Sequence, residues 1–291
     1  MTTTVGQRFD PLAASAGVEI QPIVIEAGRT WWRLGLRDIW KYHELLYFLV
    51  WRDLKVRYKQ TFIGASWAIF QPAMAMIIFT VVFGNLAKIP SDGLPYAVFA
   101  YTGLLPWTYF SQALSRSGTG LVSNAHLITK VYFPRLIIPL SDVITPAVDF
   151  VFAFVFLLGL IAWFGITPGW GLVTLPLFFF MAMITALAVG LWLSPLNVRY
   201  RDIGLTIPFL TQFWMFASPV VYPVSLVPDS WRWLYGLNPM VGVIEGFRWG
   251  LLGKANLDAG LILISAGVVL LLFIGGLVFF TRMERDFADV I

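Results

Sequence analysis

The chain has 291 residues, 58% hydrophobic and 12% charged, with a formal net charge of +4. A soluble domain carries about 25% charged residues, so this composition excludes a water-soluble enzyme and indicates an integral membrane protein. With no cysteine and only two histidines, His43 and His126, disulfides and thiolate metal sites are excluded, and no metal centre is expected. The apolar residues fall in long blocks rather than in alternating stretches of about ten, which argues for membrane helices and against a β-barrel. The sequence contains no GxxxxGK[ST] loop, so it offers no nucleotide phosphate site of its own.

Residues 1–40 are mixed in character and read as a cytoplasmic tail, with 2–22 mobile. They lack a basic region followed by an apolar core, so no cleavable signal peptide is expected. From Lys41 to Gln60 the pattern is helical. Leu46, Val50, Leu54 and Tyr58 recur every four residues, while Arg52, Lys55 and Lys59 lie on another side. Such a helix either lies in the membrane interface or packs, solvated, on a partner protein.

The first span is expected near 64–84 and the second near 95–115, separated by a loop around Lys88 to Gly93. A polar cluster at Arg116 follows, then a short helix over 123–134. Ser123 or Asn124 is placed to cap it and Pro134 to stop it. A third span covers 136–164 and contains Asp142 and Asp149. A turn at 164–171 leads to a fourth span, 172–193. A polar break, Ser194 to Ile203, precedes a proline-interrupted stretch whose first part, 204–218, is the fifth span. Residues 219–258 read as an irregular region with several Trp and Gly. The sixth span is 259–281, before a short tail ending with 286–291. The predicted fold is therefore all-α, with six spans and an amphipathic helix ahead of them.

Lysine and arginine set the orientation. With the amino terminus inside, the inner segments 1–63, 115–136, 195–205 and 282–291 hold 9, 3, 2 and 2 of them, against Lys88, Arg232, Arg248 and Lys254 outside. That bias puts both termini in the cytoplasm and accounts for the positive charge without nucleic acid. No strong internal repeat is visible, which weakens an inverted-repeat transporter.

Asp142 and Asp149 are seven apart and share a helix face. Asp149 is the deeper, where a charge is costly, so it should meet a wet cavity or a partner. Proton coupling and a structural hydrogen bond to a neighbouring helix are both open readings.

Three stretches carry a family resemblance. The run from Arg52 to Thr61, followed by Gly64, Trp67 and Pro72, resembles the lead-in to the first membrane helix of ABC-2 type permeases that export polysaccharides. Ser194 to Ile203 is similar to that family's Leu-Asn-Val-x-x-Arg-Asp-Ile pattern. Leu237-Asn-Pro-Met240, with Glu245 and Arg248 beyond it, is similar to its outer-face region of short re-entrant helices before the last span. Together they cover the layout of residues 41–285.

The resemblance implies a permease homodimer in the bacterial inner membrane, working with two copies of a separate ATPase subunit. ATP and magnesium would bind that subunit, and this chain would hold no cofactor. The cargo implied is a lipid-linked polysaccharide of the O-antigen type. Capsular polysaccharide and teichoic acid exporters share the layout. Helix 123–134 resembles a coupling helix, with His126, Lys130 and Tyr132 as contacts, although a loop helix on the bilayer fits the same residues. Arg199, Arg201 and Asp202 form a second ATPase contact or a lower gate, or only a turn capped by Asn197 and Asp202 and anchored by the arginines at the inner interface. Arg52, Lys55, Arg57 and Lys59 are candidates for the substrate headgroup, or for anionic lipid attraction alone. Trp107, Tyr109, Phe110, Phe209, Phe213, Trp214 and Phe216 could line a glycan passage or face lipid. Glu245 and Arg248, three apart on a helix, are expected to form a structural pair. The rivals from other classes are a proton-coupled transporter using Asp149 and a membrane glycosyltransferase. The latter lacks an Asp-x-Asp pair.

Overall fold

A computed structural model describes residues 40–59, 64, 66–253, 258–284 and 287. The expected tail at 2–22 and the carboxy-terminal 288–291 lie outside the described residues. The rest belongs to one unit of the chain, Leu34–Ile291. Among the described residues every regular element is helical. In chain order they are α1 (His43–Lys59), α2 (Ser66–Phe79, prolonged by a π-helical turn Thr80–Leu86), α3 (Tyr96–Ser123), α4 (Ala125–Lys130), α5 (Ile137–Ile144) and α6 (Ala147–Trp163). After a 3-10 turn (Trp170–Thr174) come α7 (Leu175–Arg199), α8 (Asp202–Phe216), α9 (Asp229–Tyr235), α10 (Pro239–Leu252) and α11 (Ala259–Met283).

Among the described residues, four helical stretches are long and apolar enough to cross a membrane: Ser66–Leu86, Ile137–Trp163, Trp170–Arg199 and Ala259–Met283. The expected spans 95–115 and 204–218 fall in α3 and α8. At 28 residues α3 is long enough, but its Tyr, Thr, Ser and Gln side chains lower its hydropathy. It tolerates them because it is the axis of the bundle, buried on most sides from Val98 to Leu121. With 15 residues, α8 falls short of the roughly 20 that a span needs. The outer helices instead display apolar side chains. On α2, Trp67, Phe70, Ile77 and Ile78 are all at least half exposed, as helices facing lipid are.

Close approach fixes the centre of the bundle. A Cβ at Gly190 of α7 would meet the Ser117 hydroxyl of α3 at 2.1 Å, so only glycine lets the two backbones pack there. On the opposite side of α7, Trp192 donates its ring N–H to Leu272 O of α11 at 3.1 Å.

Several boundaries differ from expectation. The fourth span does not stop at 193. Helix α7 runs on through Pro195 to Arg199, since Pro195 removes only its own N–H near the end of an otherwise buried helix. Asn197 satisfies a first-turn N–H of α8 across the break, from within α7 rather than from the N-cap position. It is buried, donating to Gly118 O at 3.2 Å and accepting from Gly204 N at 2.8 Å, which pins α3, α7 and α8 together. Asp202 is the first residue of α8 rather than its cap, and its side chain makes no capping bond. The third span is broken at Thr145-Pro146 into α5 and α6, which places Asp149 in the first turn of α6. The short helix is α4, only six residues long, and Val131 is already extended.

Candidate functional site

One group of charged residues gathers between α1 and the bundle. Periodicity predicts that Leu46, Val50, Leu54 and Tyr58 face inward, but the buried side chain of α1 is Leu49. Leu49, Asp53 and Arg57 follow one another at helical spacing, so the inward stripe changes from apolar to charged along the helix. The bundle supplies matching charges. Arg116 of α3 pairs with Asp53 and stands 3.7 Å from Asp142 of α5. Arg57 reaches Asp149 of α6 at 2.6 Å, and Tyr58 donates its hydroxyl to the other Asp149 oxygen. Arg52 donates to Asp53 and, at 2.9 Å, to Asn124 Oδ1 at the junction of α3 and α4. Meanwhile Tyr47, Phe48, Trp51 and Val56 are exposed.

This distribution corrects the expected basic face. Of the four headgroup candidates, Arg52 and Arg57 are engaged with protein partners, whereas Lys55 and Lys59 are exposed. Lys55 lies over the Trp51 ring at 4.5 Å. The physical reason is the bundle's own carboxylates. A buried Asp142 or Asp149 needs a cation, and α1 delivers one along its inner side. Burial, followed by the bond to Asp149, raises the Tyr58 phenol above its ordinary range, so it stays a hydrogen-bond donor.

The second group of candidates is exposed. On and after α4, His126, Lys130 and Tyr132 point outward, Tyr132 at 79% exposure, while Ile128 and Phe133 anchor the segment in the core. Asn124 occupies the N-cap position of α4, but its side chain makes no capping bond. It donates to Gly120 O at 2.9 Å and accepts from Arg52. Ser123 bonds back to Thr119 O within α3. Arg199, Arg201 and Asp202 are exposed at the α7–α8 corner, with Arg199 stacked near the Tyr200 ring.

The aromatic candidates separate into two sets. Trp107, Tyr109 and Phe110 are buried in the protein core, where Tyr109 donates to Val143 O at 2.9 Å and packs on Phe179. On α8, Phe209, Phe213 and Phe216 are more than half exposed. Trp214 lies between the sets, packed edge-on to Phe110 and donating to Asn238.

Asn238 lies in the Leu237-Asn-Pro-Met240 stretch, whose pattern alone assigns its side chain no role. Its carbonyl accepts from Trp214 and from Met240 N, capping α10, and its amide donates to Ala217 O and Ser218 Oγ. It thereby joins the end of α8 to the start of α10. The stretch around Glu245 and Arg248 is α10, a buried core helix. Arg248 is 3% exposed, pairs with Glu245 at 3.1 Å, donates to Val220 O at 3.0 Å and lies 3.7 Å from the Phe99 ring centroid. Gly103 leaves room for it. Among the described residues no cluster of His, Asp and Glu could hold a metal ion.

An all-helical bundle with long apolar helices defines an integral membrane protein in outline, and comparison supplies the family. Residues 44–252 match the family described as ABC-2 type transporter, and the chain belongs to it. It is similar to the O-antigen export system permease protein RfbA of Myxococcus xanthus, 31% identical over 259 residues, covering 88% of this chain and 98% of that protein. A protein of the same name from Klebsiella pneumoniae is 28% identical over 253 residues, 85% and 95% of the two chains. The polysialic acid transport protein KpsM of Escherichia coli is 25% identical over 281 residues, 93% and 98%.

Proposed function

We propose that this chain is the membrane subunit of an ABC exporter that moves a lipid-linked polysaccharide outward from the cytoplasmic leaflet. The observation that carries this reading is likeness along nearly the whole length to permeases named for O-antigen export. In this reading α3 and α8 complete a set of six spans, both termini are cytoplasmic, and the protein lies in the bacterial inner membrane as a homodimer. Two copies of a separate ATPase bind and hydrolyse ATP with magnesium. The exposed His126, Lys130 and Tyr132, with Arg199, Arg201 and Asp202, meet those subunits. The connection 217–238, tied back by Asn238 and Arg248, forms the re-entrant outer region. The glycan slides past the exposed Phe209, Phe213 and Phe216.

A capsular polymer is the second cargo reading, favoured by the likeness to the polysialic acid transport protein. Proton coupling through Asp149 is disfavoured, because the carboxylate is held by both Arg57 and Tyr58.

The test uses inverted membrane vesicles containing the chain, its ATPase and a lipid-linked glycan. ATP should drive the glycan into the lumen, and a protonophore should leave transport intact. Accumulation that ignores ATP and stops with the protonophore refutes the proposal.

A further inference from the structure

We propose that Arg57, Tyr58 and Asp149 form a self-occupied anion site, in which the Asp149 carboxylate holds the place taken by the diphosphate of a lipid-linked carrier when substrate loads. The proposal rests on the exporter reading above. Two consecutive residues at the end of α1 converge on the two oxygens of one carboxylate. The Tyr58 hydroxyl donates to Oδ1, and the Arg57 guanidinium faces Oδ2 at 2.6 Å. A phosphate offers the same two-oxygen edge with more acceptors and more charge, and a guanidinium fork suits it.

The two partners are not equally accessible. The Arg57 side chain is 31% exposed and that of Asp149 8%, so an incoming anion reaches the cation before the carboxylate behind it. Gln112 of α3 flanks the guanidinium at 3.4 Å. Lys55 and Lys59, exposed on the same helix, draw anions toward the site without offering a fork. Asp149 lies in the first turn of α6, where the helix end favours negative charge. It therefore keeps a favourable setting when Arg57 turns away. The exchange also breaks one tie between α1 and α6, while Arg52 still holds α1 to the α3–α4 junction through Asn124. Loading would thus be felt at the exposed helix α4.

The test is equilibrium binding of farnesyl diphosphate to the full-length protein in phosphatidylcholine nanodiscs. Asp149→Asn keeps the side-chain shape and an acceptor for Tyr58 but removes the competing charge. If the site is self-occupied about nine-tenths of the time, Kd falls about tenfold in this variant. Asp149→Ser provides a second variant with the same expected direction, and Arg57→Lys should weaken binding in either background. Unchanged or weaker binding in both Asp149 variants, with wild-type binding intact, overturns the self-occupied site and leaves the exporter reading standing. No farnesyl diphosphate binding by wild type or variants overturns the diphosphate site itself. Equal competition by phosphatidylglycerol would make Arg57 a contact for bulk anionic lipid. Equally tight binding of inorganic diphosphate would make it a free phosphate site. Either result overturns the assignment to a lipid carrier.

Discussion

Arg57 Nη1 lies 2.6 Å from Asp149 Oδ2, so the last turn of α1 is fastened to the first turn of α6 by an ion pair largely shielded from water. Without Arg57, the Asp149 charge keeps only Tyr58 and the α6 helix end to offset it. Because the Arg57 side chain is 31% exposed, Arg57→Ala should destabilise the protein by about 1 kcal/mol, below the cost for a fully buried pair, read as a lower Tm in detergent. An unchanged Tm would mean that the pair contributes nothing to stability.

The same carboxylate separates two energy sources. Asp149→Asn cannot titrate but still offers Tyr58 an acceptor. Export should persist at about half of the wild-type level or more, a loss of less than 0.5 kcal/mol on the scale where 1.36 kcal/mol is tenfold. Complete loss, with normal expression and normal ATPase binding, would favour proton coupling.

Lys130 and Tyr132 project from a segment anchored by Ile128 and Phe133. Replacing both by Ala removes exposed groups and leaves the anchors, so folding should change by less than about 0.5 kcal/mol. Co-purification with the ATPase, or the export driven by each ATP hydrolysed, should fall severalfold. A double variant with full export and normal co-purification removes these residues from the docking surface.

Arg248 holds the turn after α8 through Val220 O and neutralises Glu245 inside the protein. Arg248→Met should cost about 3–5 kcal/mol, because it strands a buried carboxylate. The double variant with Glu245→Gln should recover part of that loss. A double variant no more stable than Arg248→Met would place the cost in the lost carbonyl contacts instead.

Glu284, just beyond α11, accepts from the Arg135 backbone N–H at 3.2 Å. Burial raises its pKa, with the Arg135 bond and charge opposing. A raised folded value means that its stabilising contribution is present below the unfolded pKa of about 4.3 and is lost as pH rises through the folded value. Glu284→Gln should gain stability over wild type as pH rises through that range. Thermal unfolding from pH 4 to 8 measures the difference, and a gap that does not widen with pH would contradict the assignment.

Much of the architecture was legible in the sequence. Apolar blocks located the long helices of α2, α5–α6, α7 and α11, since lipid demands length and hydropathy from any outer helix. The basic run before Gly64 marked α1, whereas α10, Pro239–Leu252, lies in the region 219–258 that reads as irregular. Motif likeness pointed to the family that residues 44–252 match.

The neighbours of each face were not legible. In a bundle that is apolar inside and out, periodicity does not tell a lipid-facing side from a packed one. For that reason Trp107, Tyr109 and Phe110 looked like the aromatics of α8 until the fold buried them. On α1 the charges suggested an outer face, yet Asp53 and Arg57 point inward because Arg116, Asp142 and Asp149 wait there from distant parts of the chain. The sequence determined which residues are charged and which segments are helical. Only the tertiary structure decided which charges meet, because a buried carboxylate selects its partner by proximity in space, and local pattern carries no record of that.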